Sequence, residues 1–232
     1  EMLGIRIDSG DLAYFSIQAR QLLDEAGFPN AKVYASNDLD EYIITSLKSQ
    51  DAAIDVWGVG TKLVTAFDQP ALGAVYKLSA IKNASGSWVP KVKVSQQSLK
   101  INIPGIHKVR RYFSKGKAVA DMIYLEGQAI NPQGIMIIDP NDATQRKRLM
   151  PAFYEGEELL KPIFRKGKLV YSLPSLQQIR ERAGAQLEAF DKTHKRLTNP
   201  HVYPVGLEEQ LHQLRMELVI AAKNSSNDTD ET

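Results

Sequence analysis

The stretch Gly4-Ile5-Arg6-Ile7-Asp8-Ser9-Gly10-Asp11-Leu12 passes from an apolar run to a group of polar residues within a few positions. The run from Gly4 to Ile7 is typical of a short buried strand. A helical pattern follows, in which apolar residues from Leu12 to Leu23 recur with a period of about 3.6, and Gly27 is placed to end it. The segment therefore predicts one β-α unit of an α/β protein.

Two similar units come next. Lys32-Val33-Tyr34-Ala35 predicts a second strand, and its helix is expected to begin near Asp38, because Asp38-Leu39-Asp40-Glu41 resembles a capping box. Ile54-Asp55-Val56-Trp57 predicts a third strand, which ends at Gly58-Val59-Gly60-Thr61. This spacing is typical of β/α barrels and of doubly wound sheets, but three units cannot close a barrel of eight strands. We therefore expect the chain to be the second half of a larger protein.

After about Val75 the pattern changes to short strand-like runs. Strands are predicted at Val75 to Ile81, Val89 to Val94, Ile106 to Phe113, Ala118 to Leu125 and Ile135 to Asp139. A helix with Pro174 in its first turn and an apolar stripe beginning at Leu176 is predicted next, and a last helix carries Leu207, Leu211, Leu214 and Leu218. We accordingly divide the chain into β-α units at 1–80, a β-rich basic segment at 81–172, C-terminal helices at 173–223 and a polar disordered tail at 224–232.

The composition is that of an ordinary globular protein. Of 232 residues, 43% are hydrophobic and 24% are charged, which excludes the disordered, collagen-like and disulfide-scaffold classes. The sequence has no cysteine, so a thiolate nucleophile, a cysteine-ligated zinc and a disulfide are excluded. No apolar run approaches the roughly 18 residues of a membrane span. A soluble cytoplasmic protein without membrane contact is the expectation.

The net charge of +2 hides an uneven distribution. Residues 69–120 contain ten Lys and Arg and no Asp or Glu, whereas residues 1–68 are net acidic. Such a stretch attracts anions if it folds onto one surface. The alternative is that these side chains form an ordinary solvated sheet face.

Polar residues follow each predicted strand of the first segment. They are Arg6 to Asp11, Ser36-Asn37-Asp38 and Gly58 to Thr61. Parallel strands bring their carboxyl ends to one edge, where α/β proteins bind ligands. Each position also has a structural alternative. Asn37 or Asp38 is then only a helix cap, Ser9 and Gly10 form only a turn, and Gly58 and Gly60 are positions that need a positive φ.

Gly58-Val59-Gly60-Thr61 suits a phosphate group, because glycines let backbone N–H groups approach oxygen atoms and the Thr61 hydroxyl is a further donor. The motif by itself is weak, since it lacks the endings of a dinucleotide fingerprint and of a P-loop. Arg6 inside an apolar strand needs a partner, and its planar guanidinium fits a carboxylate or a phosphate. Asp8 lies on the same side of that strand, so a structural ion pair is the alternative.

The four histidines show no metal-ligand spacing and complete no catalytic triad, so we interpret them as structural or surface residues without a metal.

These motifs together resemble nicotinate phosphoribosyltransferases, in order and over nearly the whole chain. The resemblance is carried by residues 4–12, 36–41, 58–65 and 72–78, and then by Pro104-Gly105, Leu173-Pro174-Ser175-Leu176 and Asn199-Pro200-His201-Val202-Tyr203. It implies the second half of an irregular β/α barrel of the type II phosphoribosyltransferase kind, plus a β-rich segment and C-terminal helices. The family transfers phosphoribose from phosphoribosyl pyrophosphate to nicotinate in NAD biosynthesis, with Mg²⁺ and coupled ATP hydrolysis. A homodimer, and inactivity of this chain alone, are further expectations.

The resemblance also implies roles for individual residues. Arg6 matches the arginine at the nicotinate ring and carboxylate, and Thr61 matches a phosphoribose contact. Asp8 and Asp38 correspond to ribose-side carboxylates, and Asp8 is the expected catalytic residue that stabilises a cation-like transition state. Substrate binding is expected from Ser9, Asn37, Gly58 and Gly60 as well. No general base is needed, because the nicotinate nitrogen attacks directly.

Two alternatives remain at this stage. One is a phosphoribosyltransferase that uses nicotinamide. The other is a noncatalytic polyanion-binding module, in which bases stack on Tyr76, Trp88, Tyr112 and Phe113 of the basic segment. The acidic first segment and the lack of a nucleic-acid motif argue against the module, so no nucleic-acid partner is expected.

Overall fold

The structure is a computed structural model that describes residues 3–94 and 101–227. The chain divides into an N-terminal unit, Glu1–Val75, and a C-terminal unit, Tyr76–Thr232. Within the described residues, no helix is both long enough and apolar enough to cross a membrane.

The N-terminal unit contains a parallel sheet of three strands in the order β1-β2-β3. Its elements are β1 Gly4–Ile7, α1 Leu12–Glu25, β2 Lys32–Ser36, α2 Glu41–Ser49, β3 Val56–Gly58 and α3 Thr61–Val64. The three predicted strands and the parallel arrangement are therefore confirmed, with boundaries that differ by up to two residues. Asp11 caps α1, since its side chain accepts the backbone N–H of Tyr14 at 3.0 Å.

The two faces of this sheet differ because side chains alternate along each strand. On one face Ile7, Val33 and Ala35 pack against α1 and α2 in the apolar core of the unit. The other face carries Arg6, Tyr34 and Val56, which are all exposed. Helices thus cover only one face of the sheet within this unit.

The C-terminal unit is built around a six-stranded sheet in the order β10-β6-β7-β13-β8-β9, in which only the β13–β7 pair is parallel. Its elements are β4 Ala80–Lys82, β5 Trp88–Pro90, β6 His107–Ser114, β7 Lys117–Leu125, β8 Ile135–Ile138, β9 Arg146–Leu149, β10 Glu155–Glu158, β11 Phe164–Arg165, β12 Lys168–Leu169, α4 Leu176–Ala189, β13 Val205–Glu208 and α5 Glu209–Asn227. Short 3-10 helices span Pro151–Phe153 and Lys192–Lys195.

The core of this unit is formed by residues from β6, β7, β8 and β9, among them Tyr112, Met122 and Ile137. Strand β13 enters the sheet from far along the chain. Gly206 of β13 lies so close to β8 that a Cβ there would come within 2.5 Å of the Ile138 carbonyl oxygen. A residue without a side chain is therefore required at that position.

Several boundaries differ from the sequence predictions. Residues 75–79 are not a strand, because Val75 and Tyr76 are exposed and unpaired in the sheets, and β4 begins only at Ala80. Leu207 belongs to β13 and not to the last helix. The strands from β9 to β13 were not predicted. Charged residues dominate β9 and β10, β11 and β12 have only two residues each, and glycine interrupts β13.

The helices at the end of the chain also differ in detail. Pro174 precedes α4 instead of lying in its first turn, because the side chain of Ser175 caps the helix in a capping box with Gln178. The apolar stripe of α4 is exposed within this chain, with no buried residue in the helix. Helix α5 continues to Asn227, so residues 224–227 of the predicted tail are helical, and residues 228–232 lie outside the described residues.

Candidate functional site

The polar segments that follow β1, β2 and β3 lie at one edge of the three-stranded sheet. Both strand pairs are parallel, with Ile7 beside Ala35 and Ser36 beside Gly58. The carboxyl ends of the three strands therefore meet at this edge, as the sequence predicts.

Arg6 forms the polar contacts that join two of these segments. Its Nη2 lies 2.9 Å from Oδ2 of Asp8, and its Nη1 donates to Oγ of Ser36 at 2.9 Å. The Arg6–Asp8 ion pair, which the sequence analysis gave as an alternative to ligand binding, is thus present. Both side chains nevertheless remain more than half exposed, at 64% for Arg6 and 53% for Asp8. The guanidinium is held in place and still accessible to a ligand.

Gly58 continues this row on the third strand. A Cβ at position 58 would lie 3.2 Å from Cβ of Ser36 and 3.3 Å from the carbonyl oxygen of Ala35. Close approach to β2, and not backbone conformation, therefore explains this glycine. Neither Gly58 nor Gly60 has a positive φ, so that alternative reading of the two glycines is wrong.

Gly60 and Thr61 form an open loop at the start of α3. Gly60 has a φ of −111°, and a Cβ built on it would meet no atom within 4 Å. Thr61 is exposed, and among the described residues its hydroxyl has no hydrogen-bond partner. The loop consequently has free space and a free donor where the sequence predicts a phosphate.

Asn37 and Asp38 have left-handed backbone conformations, with φ values of 103° and 46°. Asp38 was a candidate cap for α2, but the cap is Asp40, whose Oδ1 accepts the backbone N–H of Ile43 at 2.8 Å. The prediction that α2 starts near Asp38 is therefore wrong by about one turn, because the left-handed backbone of Asn37 and Asp38 cannot belong to a right-handed helix. Asn37 and Asp38 are exposed, which leaves their polar groups available at the edge.

The Asp40–Lys62 ion pair was missed from the sequence. Nζ of Lys62 lies 2.5 Å from Oδ2 of Asp40, and both side chains are largely buried. The backbone N–H of Ile43 and the Lys62 ammonium lower the pKa of Asp40, whereas Asp40 raises the pKa of Lys62. The pair links the starts of α2 and α3. The one sequence feature that could have indicated this pair is the lysine directly after the Gly-x-Gly-Thr motif.

Residues of the candidate site line cavities in the N-terminal unit. One, of about 410 Å³, is lined by Arg6, Asp8, Ser9 and residues of α1. Another, of about 520 Å³, is lined by Asp40, Lys62 and apolar residues of α2 and α3. Within the described ranges, no three His, Asp or Glu side chains are grouped so that they could hold a metal ion.

The acid-free stretch at 69–120 does not form a purely cationic surface. Carboxylates from later in the chain neutralise part of it, through the pairs Arg110–Glu158 at 3.1 Å and Arg111–Asp121 at 2.7 Å. Tyr112, one of the aromatics considered for base stacking, is 1% exposed. The structure therefore does not support a base-stacking surface at Tyr112.

Comparison with known proteins gives a consistent result. The family model described as nicotinate phosphoribosyltransferase C-terminal domain matches residues 106–215. Nicotinate phosphoribosyltransferase from Bacillus subtilis (strain 168) is 43% identical over 224 residues, which are 96% of this chain and 45% of that protein. The protein of the same name from Dictyostelium discoideum is 36% identical over 90% of this chain and 37% of its own length. The chain thus spans less than half the length of these relatives.

Solved structures show the same relationship. The crystal structure of human nicotinic acid phosphoribosyltransferase superposes with a TM-score of 0.65 at 26% identity, over 93% of this chain and 40% of that one. Nicotinate-nucleotide pyrophosphorylase from Pyrococcus furiosus superposes with a TM-score of 0.50 at 21% identity, over 81% of this chain, which is a likeness of fold.

Proposed function

The chain is related in sequence and in fold to the C-terminal part of nicotinate phosphoribosyltransferases, and on this premise we propose that it serves the transfer of phosphoribose from phosphoribosyl pyrophosphate to nicotinate in NAD biosynthesis. The observation that carries the proposal is the row of Asp8, Arg6, Ser36 and Gly58 at the edge where three parallel strands end.

The proposed architecture is the second half of an irregular β/α barrel of the type II phosphoribosyltransferase kind. It is supported by the one-sided cover of the three-stranded sheet, whose other face carries Arg6, Tyr34 and Val56. In a β/α barrel, helices cover the outer face of the strands, and inward-pointing side chains fill the interior. An exposed face of this kind fits the interior of such a barrel.

Arg6 is the proposed nicotinate contact. A guanidinium forms two parallel hydrogen bonds with a carboxylate and stacks on an aromatic ring, and nicotinate provides both groups. The contacts of Arg6 with Asp8 and Ser36 orient the side chain before substrate arrives. Such preorganisation lowers the free energy needed to order the site.

Asp8 is the proposed catalytic residue. Loss of pyrophosphate from the anomeric carbon creates positive charge on the ribose, and an exposed carboxylate beside it stabilises that charge. The nicotinate nitrogen then forms the new bond to the same carbon. Because the pyridine nitrogen has a free electron pair, no proton has to be removed.

The remaining predicted residues are assigned to phosphoribosyl pyrophosphate. The backbone N–H groups at Gly58 and Gly60 and the Thr61 hydroxyl would hold the 5′-phosphate. Asn37 and Asp38, exposed on left-handed backbone, are the proposed ribose-hydroxyl contacts, with Ser9.

Mg²⁺ as cofactor and ATP as coupled substrate are further parts of the proposal. A homodimeric assembly and a cytoplasmic location are also proposed. Magnesium usually binds one or two carboxylates plus substrate phosphates, so Asp8 or Asp38 would hold it only together with pyrophosphate. The described residues form no separate metal cluster. When bound, the ion would neutralise negative charge on the leaving pyrophosphate.

A chimera tests the proposal. The segment of the Bacillus subtilis relative that matches this chain is replaced by this chain, and formation of nicotinate mononucleotide from nicotinate and phosphoribosyl pyrophosphate is measured. We expect turnover with nicotinate and little with nicotinamide, and we expect Asp8→Asn in the chimera to abolish it in a folded protein. Preference for nicotinamide, or full activity of the Asp8 variant, would contradict the proposed chemistry.

A further inference from the structure

A cavity in the C-terminal unit plays no part in the function proposed above. It has a volume of about 860 Å³ and lies beside β9 and the segment that leads into β13. Its basic side chains are those of Arg146, Lys147, Arg196 and His201, which we call the cationic groove. Asp139 is the one carboxylate among its lining residues.

The cations of the groove have no carboxylate partner in the described part of the chain. Arg146 donates from Nε to the Ala143 carbonyl oxygen at 2.6 Å, and Lys147 donates from Nζ to the Val119 carbonyl oxygen at 2.8 Å. Arg196 is exposed and forms no side-chain hydrogen bond or ion pair with a described residue. The terminal N–H groups of both guanidiniums are therefore available to a ligand.

Asp139 forms no ion pair with these side chains within the described part of the chain. Its Oδ1 accepts the backbone N–H groups of Asn141 at 2.7 Å and Asp142 at 3.1 Å, which stabilises the loop between β8 and β9. Its negative charge remains in the lining, where the charges of Arg146, Lys147 and Arg196 outnumber it.

Further positive charge lies behind the same loop. Arg215 is 4% exposed, donates from Nη1 to the Pro140 carbonyl oxygen at 2.6 Å, and has a buried Nε without a partner among the described residues. Burial, and then the charges of Arg215 and Arg146, lower the pKa of His212. Burial of cations without counter-charge is unfavourable. Arg215 does not line the groove, so an anion bound there would interact with its charge only at longer range.

We propose that the cationic groove binds a phosphorylated small molecule. The forks of Arg146 and Arg196 match the oxygen atoms of phosphate in two-point contacts. The volume falls in the usual range for organic ligands, roughly 300 to 1,000 Å³, and exceeds what a bare phosphate fills. Ile137, Val202 and Val205 give the groove an apolar part, which would contact the organic portion of the ligand.

Calorimetric titration of the 232-residue chain with inorganic tripolyphosphate tests whether the groove recognises phosphate. We expect saturable binding that the double variant Arg146→Gln/Arg196→Gln weakens at least about tenfold, as the loss of charge-assisted hydrogen bonds implies. The control is Arg165→Gln/Arg180→Gln, which removes the same charge from exposed positions of the same unit. We expect it to weaken binding no more than about twofold. Equal weakening in both pairs, or no binding to the parent chain, would overturn the proposal.

The single variant Arg196→Gln separates loss of binding from loss of folding. Arg196 makes no contact that the fold requires, so its loss should leave the melting temperature unchanged while weakening tripolyphosphate binding about fivefold. The ring of His201 lines the groove and reports the location by NMR. Its signals, assigned with His201→Gln, should move during the titration, whereas those of His107 should not. Shifts of the His107 signals alone would place the anion elsewhere and contradict the proposal.

Discussion

Nη1 of Arg6 donates to Oγ of Ser36 at 2.9 Å, and this hydrogen bond joins the ends of two neighbouring parallel strands. The same guanidinium is paired with Asp8, which lies two residues further along the chain and directly after β1. Three polar groups that are separated in sequence are thereby held in one arrangement. The catalytic and nicotinate-binding roles proposed here depend on that arrangement.

Replacement of Arg6 should weaken nicotinate use in the active chimera. A two-point charge-assisted contact contributes roughly 1.5 to 3 kcal/mol, so Arg6→Gln should lower kcat/KM for nicotinate about 10- to 100-fold. Arg6→Lys should not restore it, since an ammonium lacks the planar fork. Ser36→Ala is the matched control for positioning, with an expected loss of a few-fold. A lysine variant with normal preference for nicotinate over nicotinamide would refute the assignment of Arg6.

Gly60 offers a test of phosphate binding in the open loop. Because a Cβ at Gly60 meets no atom within 4 Å, only a ligand in the loop would be obstructed. Gly60→Val should therefore abolish binding of phosphoribosyl pyrophosphate in calorimetry carried out below the melting temperature of the variant, where circular dichroism shows it folded. Gly73→Val is the control, since Gly73 belongs to the same unit and also has free space around it. Unchanged affinity in the Gly60 variant would make the loop purely structural.

Thr61 supplies one donor to the same loop. Thr61→Ala should weaken phosphoribosyl pyrophosphate binding by about 1 to 2 kcal/mol and leave the fold intact. Thr45→Ala is a suitable comparison, because the Thr45 hydroxyl is used within its own helix, where it donates to the Glu41 carbonyl oxygen at 2.7 Å. If both variants bind equally well, the Thr61 hydroxyl does not contact the phosphate.

Asp55 should make stability depend on pH. Oδ2 of Asp55 accepts the backbone N–H of Val33 at 2.9 Å, and this bond, with a smaller contribution from Lys32, lowers the pKa below its ordinary 3.8. The stabilisation is complete above the unfolded-state pKa and is lost as the pH falls through the lower folded-state value. Urea unfolding of Asp55→Asn should vary less between about pH 6 and about pH 3 than unfolding of the parent chain. If the free energy of unfolding changed equally with pH in the two proteins, the prediction would be contradicted.

Asp121 should be the carboxylate on which the C-terminal unit depends most. It accepts from Nε and Nη2 of Arg111 at 2.8 and 2.7 Å and from the Tyr203 hydroxyl at 2.8 Å, and its side chain is 10% exposed. Asp121→Ala leaves a buried cation unpaired and should lower the free energy of unfolding by about 3 to 5 kcal/mol. The exposed Lys108–Glu126 pair, at 3.8 Å, is the control, and Lys108→Gln should change stability by less than about 1 kcal/mol. If the two variants lost comparable free energy of unfolding, the special importance of Asp121 would be refuted.

Local pattern in the sequence was enough to predict the three strands of the N-terminal unit, their parallel order and the edge that carries Arg6, Asp8 and Thr61. Side-chain alternation within a strand is local, and a helix between consecutive strands returns the chain to the same edge, so the parallel arrangement can be predicted from the order of the elements. The resemblance to phosphoribosyltransferases followed from the same motifs.

Contacts between distant residues were decided only by the tertiary structure. The Asp40–Lys62 pair, the place of β13 beside β7, and the neutralisation of Arg110 and Arg111 all join residues that no periodicity connects. The start of α2 depended on the left-handed backbone at Asn37 and Asp38, which the chain adopts to leave β2. The cationic groove belongs to the same class, because only the assembled fold shows that Arg146 and Arg196 have no ion-pair partner among the described residues.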